Sequence, residues 1–179
     1  SDGERIGDLT GLAEKLDYIS DLGMNGIWLM PVMPSPSYHK YDVTDYYDID
    51  PQYGTLENFS AMLEKAHSLG IDVIIDLVLN HTSNEHPWFI SAKSGEDSEY
   101  RDWYNWSDSP QDGYAKAGDG YYECRFVNTM PDLNLDNPEV RAEIKNILRF
   151  WLEDMGVDGF RLDAVTSYYT GNVEKNKEF

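Results

Sequence analysis

Residues 71–79 read Ile71-Asp-Val-Ile-Ile-Asp-Leu-Val-Leu79, a nearly continuous apolar run that is rich in β-branched side chains. Such a run is typical of a parallel strand buried on both faces, because helices cover both sides of a parallel sheet. Shorter apolar runs of strand length occur at residues 26–31 and 157–163. We therefore predict three strands of one parallel sheet.

Helix-like segments come before each of these strands. Leucine and isoleucine recur at helical spacing over residues 9–22, and Thr55 and Pro138 suit the first turns of two more helices. A glycine, which favours helix ends, follows each segment, at Gly23, Gly70 and Gly156. Alternating helices and strands predict an α/β fold with right-handed crossovers. From this pattern alone, a doubly wound sheet and a (β/α)8 barrel are both open.

Residues 82–136 differ in composition from the rest of the chain. They are rich in Trp, Tyr, Gly, Asp and Ser and show little periodicity, and a structureless connection of that length is uncommon in a compact domain. We therefore predict that residues 1–81 and 137–179 belong to the α/β domain and that residues 82–136 form an inserted subdomain. A barrel takes about 250 residues, so a chain with these three strands corresponds to roughly half of one.

The charge of the chain bears on its partners. It has 14 Lys and Arg residues against 33 Asp and Glu residues, for a formal net charge of −19. Nucleic-acid binding needs a basic face, so we expect no nucleic-acid partner, whereas neutral or cationic ligands stay open. The single cysteine, Cys124, excludes an internal disulfide framework. We expect no transmembrane segment, because the apolar runs are too short.

The first residue of the sequence bears on what can be said about the cellular location of the protein. The sequence begins with Ser1 rather than Met, and we expect it to be a piece of a longer protein whose targeting signals lie elsewhere. The compartment stays open, with an extracellular or cell-surface location favoured over the cytoplasm.

Polar residues collect where the predicted strands end, and in a barrel that rim carries the chemistry. Arg161 and Asp163 alternate with apolar neighbours, so both side chains point to the same face of their strand. A carboxylate held beside a guanidinium stays ionised and is suited to act as a glycosidic nucleophile. A structural ion pair is the alternative interpretation of these two residues.

Asp76, Asn80 and His81 lie at the end of the most apolar strand. The amide and the imidazole could hydrogen-bond the hydroxyl groups of a sugar without carrying a net charge. Asp76 lies within an apolar run, where a carboxylate needs a partner such as Arg161, and we interpret it as structural. A capping asparagine and a core histidine are the alternatives for the other two residues.

The segment His39-Lys-Tyr-Asp-Val-Thr-Asp-Tyr-Tyr47 follows the first predicted strand. A tyrosine ring offers a flat apolar face to a sugar ring, and polar residues beside it suit the hydroxyl groups. The same residues also fit a loop that is anchored by packed tyrosines.

Five motifs occur in order along the chain. They are Gly26-Ile-Trp-Leu-Met-Pro31, His39-Lys-Tyr-Asp42 with Asp45-Tyr-Tyr47, Asp76-Leu-Val-Leu-Asn-His81, Met130-Pro-Asp-Leu-Asn134 and Gly159-Phe-Arg-Leu-Asp163. Together they resemble the α-amylase family, glycoside hydrolase family 13, over essentially the whole chain, and the ordered set is far more specific than any one motif. The resemblance implies a partial (β/α)8 TIM barrel, about strands two to four with their helices, and an inserted subdomain after strand three.

The resemblance also implies a retaining double displacement on α-glucosidic bonds. By position, Asp163 would be the nucleophile, and Arg161 would hold it ionised and oriented. Asp76 and Asn80 would be structural residues near the site.

The sugar contacts follow from the same resemblance. Tyr41 would stack on the sugar at the cleavage site, and His81, assisted by His39, would bond a hydroxyl group of that sugar. Asp42 would bind a sugar on the non-reducing side. The expected partner is an α-glucan oligosaccharide or polysaccharide, and the chemistry requires no cofactor.

A retaining glycosidase needs a second carboxyl group, about 5 Å from the nucleophile, as its acid and base. In this family that glutamate follows strand five, whereas the chain ends soon after the predicted strand four. We therefore expect the isolated chain to be inactive and to need the missing C-terminal half of the barrel.

A metal site is a further expectation from the resemblance, because some members carry a metal loop that reads Asp-x-Asn-x-Asp-Gly-x-Gly-Asp. The start of this chain offers oxygen ligands at alternate positions that suit a structural Ca²⁺ or Mg²⁺, namely Asp2, Glu4, the carbonyl of Ile6, and Asp8. The alternative is that Asp8 caps the first helix.

Two single positions bear on the substrate. Met130 resembles the motif of intermediate members, between oligo-1,6-glucosidases and neopullulanase-like enzymes, and Ala164 resembles members that act on α-1,4 bonds. The favoured prediction is an α-amylase-type hydrolase of α-1,4 bonds. The alternatives are an exo-acting α-glucosidase or oligo-1,6-glucosidase, a related transglycosylase, and a non-catalytic glucan-binding or interaction relative.

Overall fold

The structure is a computed structural model that describes residues 6–169 and 172–178. Its helices are α1 (Leu9–Asp21), α2 (Leu56–Ser68), α3 (Pro87–Ala92), α4 (Pro138–Arg149) and α5 (Val173–Glu178). Its strands are β1 (Gly26–Leu29), β2 (Asp72–Leu77), β3 (Trp106–Ser107), β4 (Tyr114–Ala117), β5 (Gly120–Glu123) and β6 (Gly159–Leu162). The predicted alternation of helices and strands is confirmed.

One parallel sheet, in the order β1-β2-β6, forms the framework of the fold. Trp28 lies opposite Ile74 across the first pair of strands, and Asp76 lies opposite Arg161 across the second. Each connection between neighbouring strands includes a helix, as right-handed βα crossovers require. This arrangement agrees with three successive strands of a barrel wall, as the predicted partial (β/α)8 barrel requires.

The two faces of β2 are buried to different degrees. Val73, Ile75 and Leu77 are fully buried, and α2 packs against this strand. On the other face Asp72 is exposed and Ile74 is half-buried, and only Asp76 is fully buried. The face of Val73, Ile75 and Leu77 therefore agrees with the expectation of a buried strand, and the second face turns towards the inside of the partial barrel.

The helices begin and end through local chemistry that the sequence carries. Thr55 and Asn58 form a reciprocal capping box at the start of α2, which satisfies two backbone N–H groups. Gly70 follows with a φ of 71°, a conformation that glycine adopts without strain. Both the start and the end of this helix agree with the prediction.

The end of the third predicted helix differs from a regular α-helix. After α4, residues Phe150–Asp154 form a π-helical turn. This turn contains Trp151, which is fully buried and whose Nε1 donates to the carbonyl of Tyr46 at 2.9 Å. The turn therefore places a polar indole N–H on the loop that follows β1.

A second, antiparallel sheet in the order β3-β5-β4 lies within residues 82–136. Its core is aromatic, since the ring of Phe89 contacts the rings of Tyr104, Trp106 and Tyr122 at centroid distances of 5.0, 6.1 and 4.7 Å. The inserted subdomain, which follows β2 (strand three in the numbering of the whole barrel), is thus present. Its boundaries at residues 81/82 and 136/137 stay predictions.

Two chain-wide expectations concern the cysteine and the membrane. Cys124 is a free, buried thiol. Among the described residues, no helix combines the length and the apolar character that crossing a membrane requires. The expectation that nucleic acid is not a partner stays a prediction.

Candidate active site

Asp163 and Arg161 lie at the carboxyl end of β6, where the sheet meets the inserted subdomain. Asp163 directly follows the strand, and its backbone N–H donates to the carbonyl of Leu77 at 3.1 Å. The guanidinium Nη1 of Arg161 donates to Asp163 Oδ1 at 2.5 Å. A charge-assisted bond of this kind holds a carboxylate in place.

Arg161 joins Asp163 to a second, fully buried carboxylate. Its Nη1 also donates to both carboxylate oxygens of Asp76, at 3.1 and 3.2 Å. Burial raises the pKa of Asp76, although the bonds from Arg161 and Tyr41 oppose that rise. The two carboxylates in turn raise the pKa of Arg161, with Asp163 the larger influence. The pairing that the sequence suggested for Asp76 is therefore present.

Tyr41 adds a hydroxyl group to the same cluster. Its Oη donates to Asp76 Oδ2 at 3.0 Å, and burial together with Asp76 raises its pKa to about 12. The phenol is therefore protonated at neutral pH and acts as a donor. Its ring lies 5.9 Å from the ring of His39, centroid to centroid, which places both predicted sugar contacts side by side.

The segment that carries these two rings, residues 35–53, is called the rim loop below. It contains a buried ion pair between Lys40 and Asp50, with the ammonium 2.7 Å from the carboxylate. Lys40 Nζ also donates to the carbonyl of Ser35 and to Gln52. The φ of Lys40 is 65°, which is uncommon for a residue other than glycine. These contacts fix the path of the rim loop beside the carboxylates.

Asp42 and His39 are both engaged within the rim loop. Asp42 is 5% exposed, and its Oδ1 accepts hydrogen bonds from the hydroxyl groups of Ser35, at 2.6 Å, and Ser37. His39 is exposed, and its Nδ1 accepts from the Tyr41 backbone N–H at 3.1 Å. In a neutral ring the proton then lies on Nε2. The predicted sugar contacts of these residues stay predictions.

His81 is buried, and both of its ring nitrogens bond within the protein. Its Nε2 lies 3.1 Å from the carbonyl oxygen of Tyr41, and its Nδ1 lies 3.3 Å from Nδ2 of Asn80. Burial lowers the pKa of His81, which favours the neutral ring. His81 therefore supports the backbone of Tyr41, and its predicted bond to a sugar hydroxyl stays a prediction.

Asp132 is a residue of this site that sequence reasoning missed. It belongs to the inserted subdomain, is 5% exposed, and accepts from Asn80 Nδ2 at 3.0 Å. An isolated antiparallel bridge pairs its backbone with His81. The signal was present in Met130-Pro-Asp-Leu-Asn134, because an acid inside an otherwise apolar and amide-rich motif requires a partner.

Trp28 is the second missed residue. It lies on β1 beside Ile74, and its ring lies 5.5 Å from the guanidinium carbon of Arg161, within the range of a cation–π contact. Trp28 is 50% exposed. The period of two along β1 could have placed this ring on the face of Arg161, had that face been followed across the sheet.

Comparison with known proteins gives a single family. The family described as "Alpha amylase, catalytic domain" matches residues 1–179. The chain belongs to the α-amylase family.

Several members of that family are closely similar to this chain. It is 53% identical to alpha-amylase 3 of Dictyoglomus thermophilum, over 100% of the chain and 37% of that protein. It is 42% identical to an oligo-1,6-glucosidase of Parageobacillus thermoglucosidasius, over 92% of the chain and 32% of that protein. A trehalose synthase of Thermus thermophilus is 45% identical over 94% of the chain and 19% of that protein.

The solved structures agree with the sequence relatives. The structure of Amy13B from Eubacterium rectale has a TM-score of 0.94 and 54% identity, over 99% of this chain and 37% of that one. The chain thus spans between 19% and 37% of the length of these α-amylase-family proteins. The motifs that suggested the family, from Gly26 to Asp163, all lie within the matched region.

The N-terminal metal prediction falls partly outside the described residues. Asp2 and Glu4 lie there, whereas Ile6 and Asp8 are described and exposed. The carboxylate of Asp8 accepts from the backbone N–H of Gly11 at 2.6 Å and caps α1. In this member of the α-amylase family the capping role is therefore present, and the cation stays a prediction. Elsewhere in the described residues, no group of three acidic, histidine or cysteine side chains is arranged to hold a metal ion.

Asp132 is expected to make the stability of the protein depend on pH. Burial raises its pKa from 3.8 to about 7, although the Arg125 backbone N–H opposes the rise. The folded protein then binds this proton more tightly than the unfolded chain does. The stability from Asp132 is therefore complete below about pH 4 and is lost as the pH rises to about 7, by an amount on the order of 4 kcal/mol.

The measurement compares the natural protein that contains this chain with its Asp132→Asn variant, by urea unfolding between pH 4 and pH 8. Because asparagine does not titrate, we expect the wild type to lose stability relative to the variant across this range. A difference in the free energy of unfolding that stays constant with pH would contradict the prediction.

Proposed function

We propose that the protein containing this chain is a retaining glycoside hydrolase that cleaves α-glucosidic bonds in α-glucans, and α-1,4 bonds in preference to α-1,6 bonds. Asp163 is the nucleophile in this proposal. The observation that carries the proposal is the 2.5 Å bond from Arg161 to Asp163 at the carboxyl end of β6. The same guanidinium is anchored on the buried Asp76.

The chemistry of the site suits a neutral sugar. An ionised carboxylate can attack the anomeric carbon and form a covalent glycosyl-enzyme, which water then hydrolyses. The acid and base for these steps belongs to a part of the barrel beyond the strands described here. The ring of Tyr41 supplies an apolar face next to the carboxylates, and its hydroxyl group is already used by Asp76.

Preference for α-1,4 bonds rests on the residue after the nucleophile. Ala164 has a φ of 53°, in the left-handed region where a β-branched side chain is strongly disfavoured. Valine is the residue that the family resemblance links to α-1,6-acting members. The backbone of this chain therefore supports alanine at this position, and with it the α-1,4 preference.

The names of the relatives favour a second candidate. Oligo-1,6-glucosidases and trehalose synthases are both similar to this chain over more than nine-tenths of its length. An α-1,6-acting hydrolase or a transglycosylase with the same nucleophile is thus the alternative within the family.

One substrate panel separates these functions. The natural protein is incubated with maltotriose, isomaltotriose and maltose, and the products are followed by proton NMR from the first minutes. We expect maltotriose to be cleaved fastest, with the new reducing end in the α configuration. Faster cleavage of isomaltotriose, or conversion of maltose to trehalose, would favour the alternative. No turnover of any of these sugars would overturn the assignment as an enzyme.

Tyr41 provides a graded test of the same site. Tyr41→Phe keeps the ring but removes the donor to Asp76, and a hydrogen bond to a charged group contributes about 1.5 kcal/mol or more. We expect kcat/KM on maltotriose to fall by about tenfold. Tyr41→Ala also removes the apolar face, and we expect it to lower kcat/KM by about 10²-fold.

The control for this series is Tyr18→Phe, because Tyr18 is an exposed residue of α1 and its hydroxyl group lies outside the carboxylate cluster. We expect this control to match the wild type. If Tyr41→Phe also matched it, the Tyr41–Asp76 bond would have no part in catalysis.

A further inference from the structure

A line of three polar contacts joins the inserted subdomain to the rim loop. Asp132 Oδ1 accepts from Asn80 Nδ2 at 3.0 Å. Asn80 Nδ2 lies 3.3 Å from His81 Nδ1, and His81 Nε2 lies 3.1 Å from the carbonyl oxygen of Tyr41. Asp132, Asn80 and His81 are exposed by 5%, 2% and 2%, so water cannot readily replace these contacts.

The direction of each hydrogen bond follows from the chemistry of Asp132. An ionised carboxylate only accepts, so Asn80 must turn its NH₂ group towards it. The second hydrogen of that NH₂ group then faces His81 Nδ1, which must be the unprotonated nitrogen. The proton of the neutral ring is therefore on Nε2, where it donates to the carbonyl of Tyr41.

The carboxylate of Asp132 is itself held from the other side. Its Oδ2 accepts from the backbone N–H of Arg125 at 3.1 Å. Two backbone bonds flank the contact, from Leu133 N–H to the carbonyl of Asn80 at 2.9 Å and from Thr82 N–H to the carbonyl of Pro131 at 3.1 Å. Asp132 is therefore fixed against β2 and cannot follow a change in Asn80.

We propose that Asp132 is a positioning residue for Tyr41, and that it acts by fixing the tautomer of His81 through Asn80. The proposal rests on the proposed function, because in that function the ring of Tyr41 is the apolar face on which the sugar stacks. It differs from the role of a packing residue, because it requires a carboxylate rather than any side chain of the same size. The inserted subdomain thereby helps to position the ring of Tyr41 on which the sugar stacks.

The isosteric variant Asp132→Asn gives the sharpest test. The Arg125 N–H favours the amide oxygen of the new asparagine, which leaves the new NH₂ group facing Asn80. Asn80 must then turn its own oxygen towards that group and towards His81. The ring proton moves to Nδ1, and the unprotonated Nε2 faces the carbonyl of Tyr41, where two acceptors repel each other.

Two readouts are measured at pH 8, where Asp132 is ionised. The first is the ¹⁵N NMR spectrum of the natural protein labelled at its histidines, with the His81 signals assigned by their loss in a His81→Gln variant. We expect the proton on Nε2 in the wild type and on Nδ1 in Asp132→Asn. The second is kcat/KM on maltotriose, which we expect to fall by about tenfold in Asp132→Asn because the Tyr41 backbone shifts.

Asp136→Asn is the matched control, because Asp136 is an exposed acid of the same segment that pairs with Lys175. We expect it to keep both the His81 tautomer and the rate of the wild type. Thermal unfolding of all variants shows whether each is folded at the assay temperature.

Three results would overturn the proposal. They are a wild-type His81 with its proton on Nδ1, an unchanged tautomer in Asp132→Asn, and a changed tautomer with an unchanged kcat/KM. The wild-type spectrum needs no variant and keeps the proposal open to refutation if Asp132→Asn does not fold. If the natural protein turns over no α-glucan, the proposed function fails by itself, because the tautomer measurement does not depend on activity.

Discussion

Asp163→Asn is expected to lower the kcat of the natural protein on maltotriose by roughly 10⁴-fold or more, the scale on which the loss of a nucleophile acts. Asparagine has nearly the same size as aspartate, so the place at the end of β6 is kept. The amide, however, carries no negative charge for the anomeric carbon. The bond from Arg161 at 2.5 Å also loses its anionic acceptor, so Asp76 is the remaining negative charge that Arg161 contacts.

The matched control is Asp21→Asn, at the last residue of α1. Asp21 is exposed, and the same change of one oxygen to nitrogen is expected to leave kcat within about twofold, as for most surface substitutions. Asp163→Asn with a rate near that of Asp21→Asn would remove Asp163 from the reaction.

The covalent role of Asp163 can be tested apart from its charge. In Asp163→Gly the space of the carboxylate is open to an added azide ion. With an activated aryl α-maltoside, we expect azide to attack the anomeric carbon as the bond to the aryl oxygen breaks, which leaves the sugar as a β-glycosyl azide. An α-glycosyl azide would contradict a nucleophile on this face of the sugar.

The barrel framework could be predicted because its signals are local. Thr55 and Asn58 cap α2 through their own side chains, and Gly70 ends that helix with a positive φ. The helical spacing of Phe59, Met62 and Leu63 matches the face that is buried. Each of these features depends on residues within one helix, so a single sequence is enough to show it.

The π-helical turn after α4 could not be predicted in the same way. The apolar spacing that ends with Trp151 and Leu152 fits an α-helix equally well. What distinguishes the turn is a contact far along the chain, from the Trp151 indole to the carbonyl of Tyr46. The apolar spacing within the helix carries no information about that distant contact.

In the candidate site, too, the local contacts could be predicted from the sequence and the long-range contacts could not. Arg161 and Asp163 are two residues apart on one strand, so the period of two already placed them on one face. Asn80 and Asp132 are far apart in the sequence and in different parts of the fold, and their contact at 3.0 Å follows only from the docking of the inserted subdomain. The burial of Lys40, with its ion pair to Asp50, was equally hidden, because a lysine in a polar loop is usually solvated.

Arg161→Met is the substitution expected to affect both stability and activity. It removes the cation between Asp76, which is fully buried, and Asp163. Breaking a buried pair leaves an uncompensated charge and costs roughly 3–5 kcal/mol. Because the Arg161 side chain is 41% exposed, water relieves part of this cost, and we expect a loss of about 1–3 kcal/mol. Activity is expected to fall by about 10²- to 10³-fold, since the proposed nucleophile loses its electrostatic partner.

The double variant Arg161→Met with Asp76→Asn separates these two effects. Asp76→Asn removes the buried charge that Arg161→Met leaves behind, and asparagine can still accept from the Tyr41 hydroxyl group. We therefore expect urea unfolding to show most of the lost stability restored in the double variant. The activity should not return, because Asp163 still lacks its cation.

Arg161→Lys and Arg149→Met complete the comparison. Lysine keeps the charge but replaces the planar guanidinium by a point charge on a flexible stem, so we expect an activity between those of the wild type and Arg161→Met. Arg149 is an exposed residue at the end of α4, and its loss should change neither property. If the double variant regained activity together with stability, Arg161 would act only by neutralising Asp76, and its contact with Asp163 would not contribute to the rate.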